Sequence, residues 1–170
     1  MSNDGQYLEI GGRPAVRFVR TYAHPIDRVW HTLTDPDESE HWFPSRLEVD
    51  PGVGAEVRFA AHRHSDGSSG TVLRYEEPTA LAFTWGESEV EFELESLADG
   101  STRFTLTNVL GERNAAARNA AGWETCLIGL DRLLEGAPSA PPHLDGDWQA
   151  RYDGYLAAGV PSGAPIPTRS

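Results

Sequence analysis

Between Ser45 and Leu110 apolar and polar side chains alternate with a period of two, the pattern of strands buried on one face. Leu47 and Val49 alternate with Arg46 and Glu48, and Val57, Phe59 and Ala61 with Glu56, Arg58 and His62. A run from Gly70 to Glu76 follows, and then Leu81, Phe83 and Trp85 line one face of the next. From Glu87 to Leu97 the alternation is cleanest: Val90, Phe92 and Leu94 face inward, Glu89, Glu91, Glu93 and Glu95 outward. Phe104, Leu106, Asn108 and Leu110 repeat the inward parity. Asp50-Pro51-Gly52, Ser65-Asp66-Gly67, Glu77-Pro78 and Asp99-Gly100 supply the turns. Closely spaced strands with short turns predict an antiparallel meander with one wet face.

The flanks follow other periods. Gln6 to Ile10 and Arg13 to Ala23 predict two strands joined at Gly11-Gly12, with Val16, Phe18, Arg20 and Tyr22 on one side of the second. Pro25 suits a first helical position, and Ile26, Val29, Trp30 and Leu33 make a short apolar helix face. Asp35 is a good N-cap, with Pro36 at N1 and Glu38 at the capping-box position, so a second short helix follows and ends at His41-Trp42-Phe43 before Pro44. A long helix is predicted from Glu112 to Gly136, where Ala116, Ala120, Trp123, Leu127, Leu130 and Leu134 recur at helical spacing. Arg113, Arg118, Glu124, Asp131 and Arg132 fall largely away from that face, so every carboxylate on the helix is expected to point outward. Beyond it, Ala137 to Pro142 reads as a linker. Trp148, Tyr152, Tyr155 and Leu156 have the spacing of a short docked helix, with Asp145 or Asp147 as cap. The alternative for this aromatic stripe is contact with a second copy of the chain in a homodimer. Pro161 to Ser170 reads as a frayed tail. The expected division is a domain at 1–136 and an appendage at 137–170.

Composition narrows the partners. Fourteen basic residues, all arginine, stand against 26 acidic ones for a net charge of −12. Such a surface repels phosphate backbones and anionic lipid, so neither nucleic acid nor membrane is an expected partner. The absence of lysine removes Schiff-base chemistry and P-loop phosphate binding. The N-terminal stretch lacks the basic and apolar regions of a signal peptide, and the lone Cys126 precludes an internal disulfide, so a cytoplasmic location is expected. Cys126, next to Leu127 within the helix, reads as a buried inert thiol.

One strand, two short helices, a long meander and a final long helix form a recognisable order. Arg20-Thr21-Tyr22, the stretch Pro25-Ile26-Asp27-Arg28-Val29-Trp30-His31-Thr32-Leu33-Thr34-Asp35-Pro36, then Trp42-Phe43, Gly122-Trp123-Glu124 and Leu130 to Leu134 carry the resemblance. The chain resembles, over roughly residues 14–136, the bacterial family related to the C-terminal domain of the activator of the heat-shock chaperone ATPase. That family lies in the START-like superfamily, also called helix-grip or polyketide-cyclase-like. The resemblance implies an α+β helix-grip fold: a curved antiparallel sheet wrapped around the long C-terminal helix, two short helices after the opening strand, and an apolar cavity between sheet and helix. The 137–170 segment does not match the separate N-terminal domain of the chaperone activator.

The expected function is binding of a small apolar molecule in that cavity. Its walls would be Trp42, Phe59, Phe83, Trp85, Phe92, Phe104, Asn108, Trp123 and Leu127, with Ala116, Ala120 and Gly122 leaving room. The same rings, each worth roughly 1.5–3 kcal/mol on burial, would stabilise a filled core equally well. The alternatives are a cyclase- or hydrolase-like enzyme using the same cavity and a co-chaperone-like protein-binding domain. For catalysis, Asn108, Arg20, Tyr22 and Tyr75 are the only inward candidates, and no G-x-S-x-G, Walker, Rossmann, C-x-x-C or H-E-x-x-H motif accompanies them. Asn108 has two readings, a partner for a backbone carbonyl or helix end and a ligand contact. His62 and His64 share one side of a strand beside Asp66, but they sit on the polar face near a turn and lack a full ligand set. His24, His31, His41 and His143 look scattered. No metal and no cofactor is expected. The Glu89, Glu91, Glu93 and Glu95 row, spaced about 7 Å apart, reads as a wet face with ordinary pKa values, partly neutralised by Arg103.

Overall fold

The computed structural model describes residues 5–43, 45–60, 67–136 and 148–165. His62 and His64, Pro44, the 137–142 linker, His143 and the candidate caps Asp145 and Asp147 lie outside them. The hairpin of β1 (Gln6–Ile10) and β2 (Arg13–Tyr22) opens the chain, its turn formed by Gly11 and Gly12 at φ 57° and 82°. Positive φ at two successive central residues matches the right-handed twist of the strands, and glycine adopts it without strain.

Two helices, α1 (Ile26–Thr34) and α2 (Pro36–Ser39), then carry the chain from β2 to the opposite edge of the sheet. Pro25 is the N-cap of α1 rather than its first residue. Asp35 caps α2 as expected, its Oδ2 accepting from the Glu38 N–H at 3.2 Å. The Glu38 carboxylate turns back onto α1 instead of closing a capping box, meeting Arg28 at 2.8 Å and His31 Nε2 at 2.9 Å.

The meander consists of β3 (Leu47–Val49), β4 (Glu56–Phe59), β5 (Ser68–Glu76), β6 (Ala80–Trp85), β7 (Ser88–Ser96) and β8 (Thr102–Val109). Together with the first hairpin it makes one eight-stranded sheet in the order β1-β2-β8-β7-β6-β5-β4-β3, antiparallel throughout. The alternation reads out as burial: Val90, Phe92 and Leu94 of β7 and Phe104 and Leu106 of β8 are buried. Of the outward row, Glu89 meets Arg13 at 3.2 Å and Glu95 meets Arg103 at 3.0 Å. Glu91 departs from the wet-face expectation, because partial burial, with Glu93 beside it, raises its carboxyl above the usual range.

A 3-10 turn at Arg113–Ala115 leads into α3 (Ala116–Leu134), which ends at Gly136 with φ 78°. The buried face of α3 includes Ala116, Ala120, Trp123, Leu127, Leu130 and Leu134, and with α1 it closes the concave side of the sheet. Cys126 lies on this helix, 4% exposed, and burial pushes its thiol up to about 12. Cys126 is therefore expected to resist a thiol-specific disulfide reagent in the native protein at pH 8 and to react fully in denaturant, as measured by absorbance of the released thiolate.

The last helix, α4 (Trp148–Ala157), packs along α3. Trp148 and Tyr155 are buried, and the Trp148 and Tyr152 rings stack at 5.2 Å. The Tyr155 hydroxyl accepts from the Gly5 N–H at 2.8 Å and donates to Glu124 Oε2 at 2.9 Å, tying both ends of the described chain to α3. Residues 161–165, which read as loose in sequence, lie against the start of that helix. Ala117 N–H donates to Pro161 O at 2.9 Å and Ala164 N–H to Asn114 O at 3.2 Å.

Candidate functional site

The concave face of the sheet, α3 and the turn after α2 bring aromatic rings into an unbroken series. Trp85, at the end of β6, is partly buried; its ring lies 5.7 Å from those of Phe59 on β4 and Trp123 on α3. Phe43 sits at the centre, 5.2 Å from Trp85, 5.7 Å from Trp123, 6.2 Å from Phe59 and 6.3 Å from Phe83. From there the series passes through Trp42 to Phe92 at 5.7 Å, to Phe104 at 5.6 Å and to Tyr22 at 6.4 Å. Trp42, Phe43, Phe83, Phe92, Phe104 and Leu127 are wholly buried, and Phe59 nearly so. The rings thus run from a half-open end at Trp85 to a closed end at Tyr22. Trp42 is held by its indole, whose Nε1–H donates to Thr32 O of α1 at 3.2 Å.

Polar groups divide between those two ends. At the Trp85 end, Asn108 is 1% exposed and its amide is fully engaged. Its Oδ1 accepts from Trp123 Nε1 at 3.0 Å and Asn119 Nδ2 at 3.1 Å, while Nδ2 donates to Glu89 O at 3.1 Å and approaches Val109 O at 3.5 Å. Of the two readings of Asn108, this supports the partner for a backbone carbonyl: the side chain fastens α3 to β7 and β8.

At the far end, the Tyr22 hydroxyl of β2 faces the Asp131 carboxyl of α3, with Arg20 nearby. Tyr22 Oη and Asp131 Oδ1 are both buried, with the hydroxyl directed at the carboxyl as its hydrogen-bonding neighbour. Asp131 corrects the expectation that the carboxylates of α3 all point away from the interior. The residue lies only about 40° around the helix from Leu127, a signal that the sequence carried. Burial holds the Asp131 carboxyl above the usual carboxylate range, with Glu135 adding to the rise and the Tyr22 hydroxyl and Arg20 pulling against it. The Tyr22 hydroxyl is likewise pushed well above 10 by burial and then by Asp131.

The raised carboxyl makes a pH prediction. The fold favours protonated Asp131, so its contribution to stability is lost as pH rises from the ordinary carboxylate range through the raised value. Asp131→Asn is expected to melt a few degrees above the parent at pH 8, with the gap closing at pH 4, in thermal scans at both values.

His31 is not scattered as the sequence suggested. It meets Asp35 and Glu38, their ligand atoms all within 4.8 Å. The Asp35 carboxylate already caps α2, and Glu38 is shared between Arg28 and His31, so the trio forms an ion-paired corner between helices. Tyr75 lies away from the interior series, its ring edge-on to Trp30 at 5.8 Å and its hydroxyl 3.4 Å from Glu77. Phe43, the second member of the Trp-Phe pair, belongs to the series although the sequence pattern assigns it no place there. Its central place follows from being the neighbour of Trp42 on a turn that faces the sheet.

A family model described as Activator of Hsp90 ATPase homolog 1-like protein matches residues 23–135, from the loop before α1 to the end of α3. The chain belongs to this family. The Activator of Hsp90 ATPase homolog 1-like match includes Trp42, the meander and Trp123, but not α4. No curated protein matches the chain. Among solved structures, a conserved protein of unknown function, EF2215, from Enterococcus faecalis superposes with a TM-score of 0.74 at 22% identity, covering 91% of this chain and 89% of that one. A protein from Bordetella parapertussis gives 0.69 at 27% identity over 98% and 96%. DynU16, from the dynemicin biosynthetic locus, gives 0.61 at 26% identity over 75% of this chain and 49% of its own. The shared architecture is the START-like, polyketide-cyclase-like helix grip. Among the described residues no helix is long and apolar enough to cross a membrane.

Proposed function

We propose that this protein binds a small apolar molecule between the concave sheet and α3. The observation that carries the reading is Trp85: a partly buried indole in direct contact with Phe59, Phe43 and Trp123 brings the buried aromatic series towards the surface. A guest entering there meets ring faces and leaves water, and each ring-sized contact it gains is worth about 1–2 kcal/mol. Phe59, Phe83, Trp85, Phe92, Trp123 and Leu127 serve as walls, with Phe104 and Trp42 deeper in the interior. Asn108 holds the Trp123 indole in place rather than reaching the guest, since its four polar positions are taken. The family and the likeness to DynU16, from the dynemicin biosynthetic locus, fit this reading.

Native mass spectrometry of the purified full chain tests it. The expected result is an adduct of a few hundred daltons that is lost on denaturation, or saturable uptake of Nile red that quenches tryptophan emission. A bare chain mass together with no saturable uptake would remove the proposal.

A further inference from the structure

We infer that His31, Asp35 and Glu38 bind a divalent transition-metal ion, with one imidazole nitrogen and two carboxylate oxygens, at the corner where α1 meets α2. The site lies apart from the aromatic interior and stands or falls independently of the apolar guest. Two observations carry it. First, the ligand atoms of the three side chains all lie within 4.8 Å of one another. Bonds of about 2.0–2.2 Å from one ion to nitrogen and oxygen ligands span up to roughly 4.4 Å, so a small side-chain shift closes the set. An ion of this kind needs no cavity, only lone pairs at such spacing. Second, His31 Nε2 and Glu38 Oε2 are 2.9 Å apart, yet Oε2 is a buried atom with no hydrogen-bond partner. An oxygen that close to a ring nitrogen without a hydrogen bond lies to the side of the nitrogen's axis. The same separation is that of two metal ligands meeting at about 90°, with the ion on the imidazole axis and the oxygen beside it.

The surroundings orient these ligands. Arg28 holds the other oxygen of Glu38, donating to Oε1 at 2.8 Å, and so aims the carboxylate without pairing with Oε2. Asp35 Oδ2 accepts from the Glu38 N–H at 3.2 Å, and a carboxylate accepting one bond keeps lone pairs for a metal. Outer contacts of this kind fix a ligand's direction before an ion arrives. His31 stands in the last turn of α1, where unpaired carbonyl groups favour positive charge. Its side chain is 59% exposed, so it can turn aside to admit an ion, whose open positions then keep water. One nitrogen with two oxygens suits zinc, manganese or ferrous iron better than calcium, which takes oxygen alone. Bound there, the ion ties α1 to α2 just ahead of the turn that carries Trp42 and Phe43.

The test titrates the chelator-treated full chain with zinc chloride by calorimetry and with cobalt chloride by visible absorption. The wild-type protein is expected to take up zinc with micromolar affinity and to give the ligand-field bands of a protein-bound cobalt ion. His31→Ala and Glu38→Gln should each weaken that uptake by roughly 10-fold or more, since each removes one of three ligands. His62→Ala/His64→Ala, which removes the closely spaced histidine pair elsewhere in the sequence, should leave it unchanged. A wild-type chain that takes up neither metal would overturn the inference. Equal uptake by wild type and His31→Ala would overturn it too, as would loss of uptake in the His62/His64 double variant alone. His31 is exposed, so His31→Ala keeps the fold and decides the matter even where Glu38→Gln, which weakens the pair with Arg28, does not.

Discussion

Asn108→Ala is expected to lower the free energy of unfolding by about 2–4 kcal/mol, read as a shift of the urea midpoint at unchanged slope. The side chain is small, and its apolar contribution is slight. What the substitution removes is the shared partner of three elements. The Trp123 indole N–H would be left inside the protein without a counterpart, the Glu89 carbonyl would lose a donor, and the Asn119 amide would lose its acceptor. Orphaned groups in a low-dielectric interior cost their full desolvation, which is why the effect exceeds that of an ordinary hydrogen bond. Asn108→Asp separates the two halves of the amide. Its oxygens can still accept from Trp123, but the donor to Glu89 O is replaced by an acceptor. At pH 7 this variant should be at least as unstable as the alanine, and acid should recover part of the loss as the carboxyl gains a proton to donate.

Phe43→Ala should cost about 3–5 kcal/mol, the usual range for deleting a buried aromatic side chain. The ring is wholly buried and touches Trp42, Phe59, Phe83, Trp85 and Trp123, so no single neighbour can collapse into the space. Trp85→Ala is the useful contrast. Its indole is larger but only partly buried, so part of its surface is already in water and the loss should be smaller by about 1 kcal/mol or more. Denaturant titration of both variants against the parent checks the order. If Trp85→Ala proves the more damaging, the mouth of the interior is packed like its centre, and the entry route assigned to Trp85 fails with it.

Much of this architecture was legible because strand parity is a strict code. Val90, Phe92 and Leu94 could not face the core without sending Glu89, Glu91, Glu93 and Glu95 outward, and that is the arrangement found. The turns carried their own chemistry, as did the Asp35-Pro36 start of α2. The inward placement of Phe59, Phe83, Phe92 and Phe104 was legible for the same reason, since they sit on regular strands. The polar contacts were harder to see. Asp131 stands at the margin of an apolar stripe, where the helical period assigns it to neither the buried nor the exposed face. Only Tyr22, from a strand far off in sequence, decides which way it turns. The meeting of His31 with Glu38 depends on the sharp corner at Asp35, which spacing along the chain does not describe. The bonds from residues 161–165 to the start of α3 are made through backbone atoms, and backbone leaves no trace in a residue pattern.

The crossing of α1 and α2 from one side of the sheet to the other sets a timetable for synthesis. Because β3 begins at the far edge, β2 waits for β8, pairing Ala15 with Val109 and Tyr22 with Thr102, separations of 94 and 80 positions. At about 5–20 residues per second, the first hairpin spends on the order of 4–19 s with Val16, Phe18 and Tyr22 uncovered before its neighbour has been made. The earliest strands to leave the ribosome are therefore among the last to find their place. During that interval the nascent chain presents the same apolar face that the finished protein keeps for its interior.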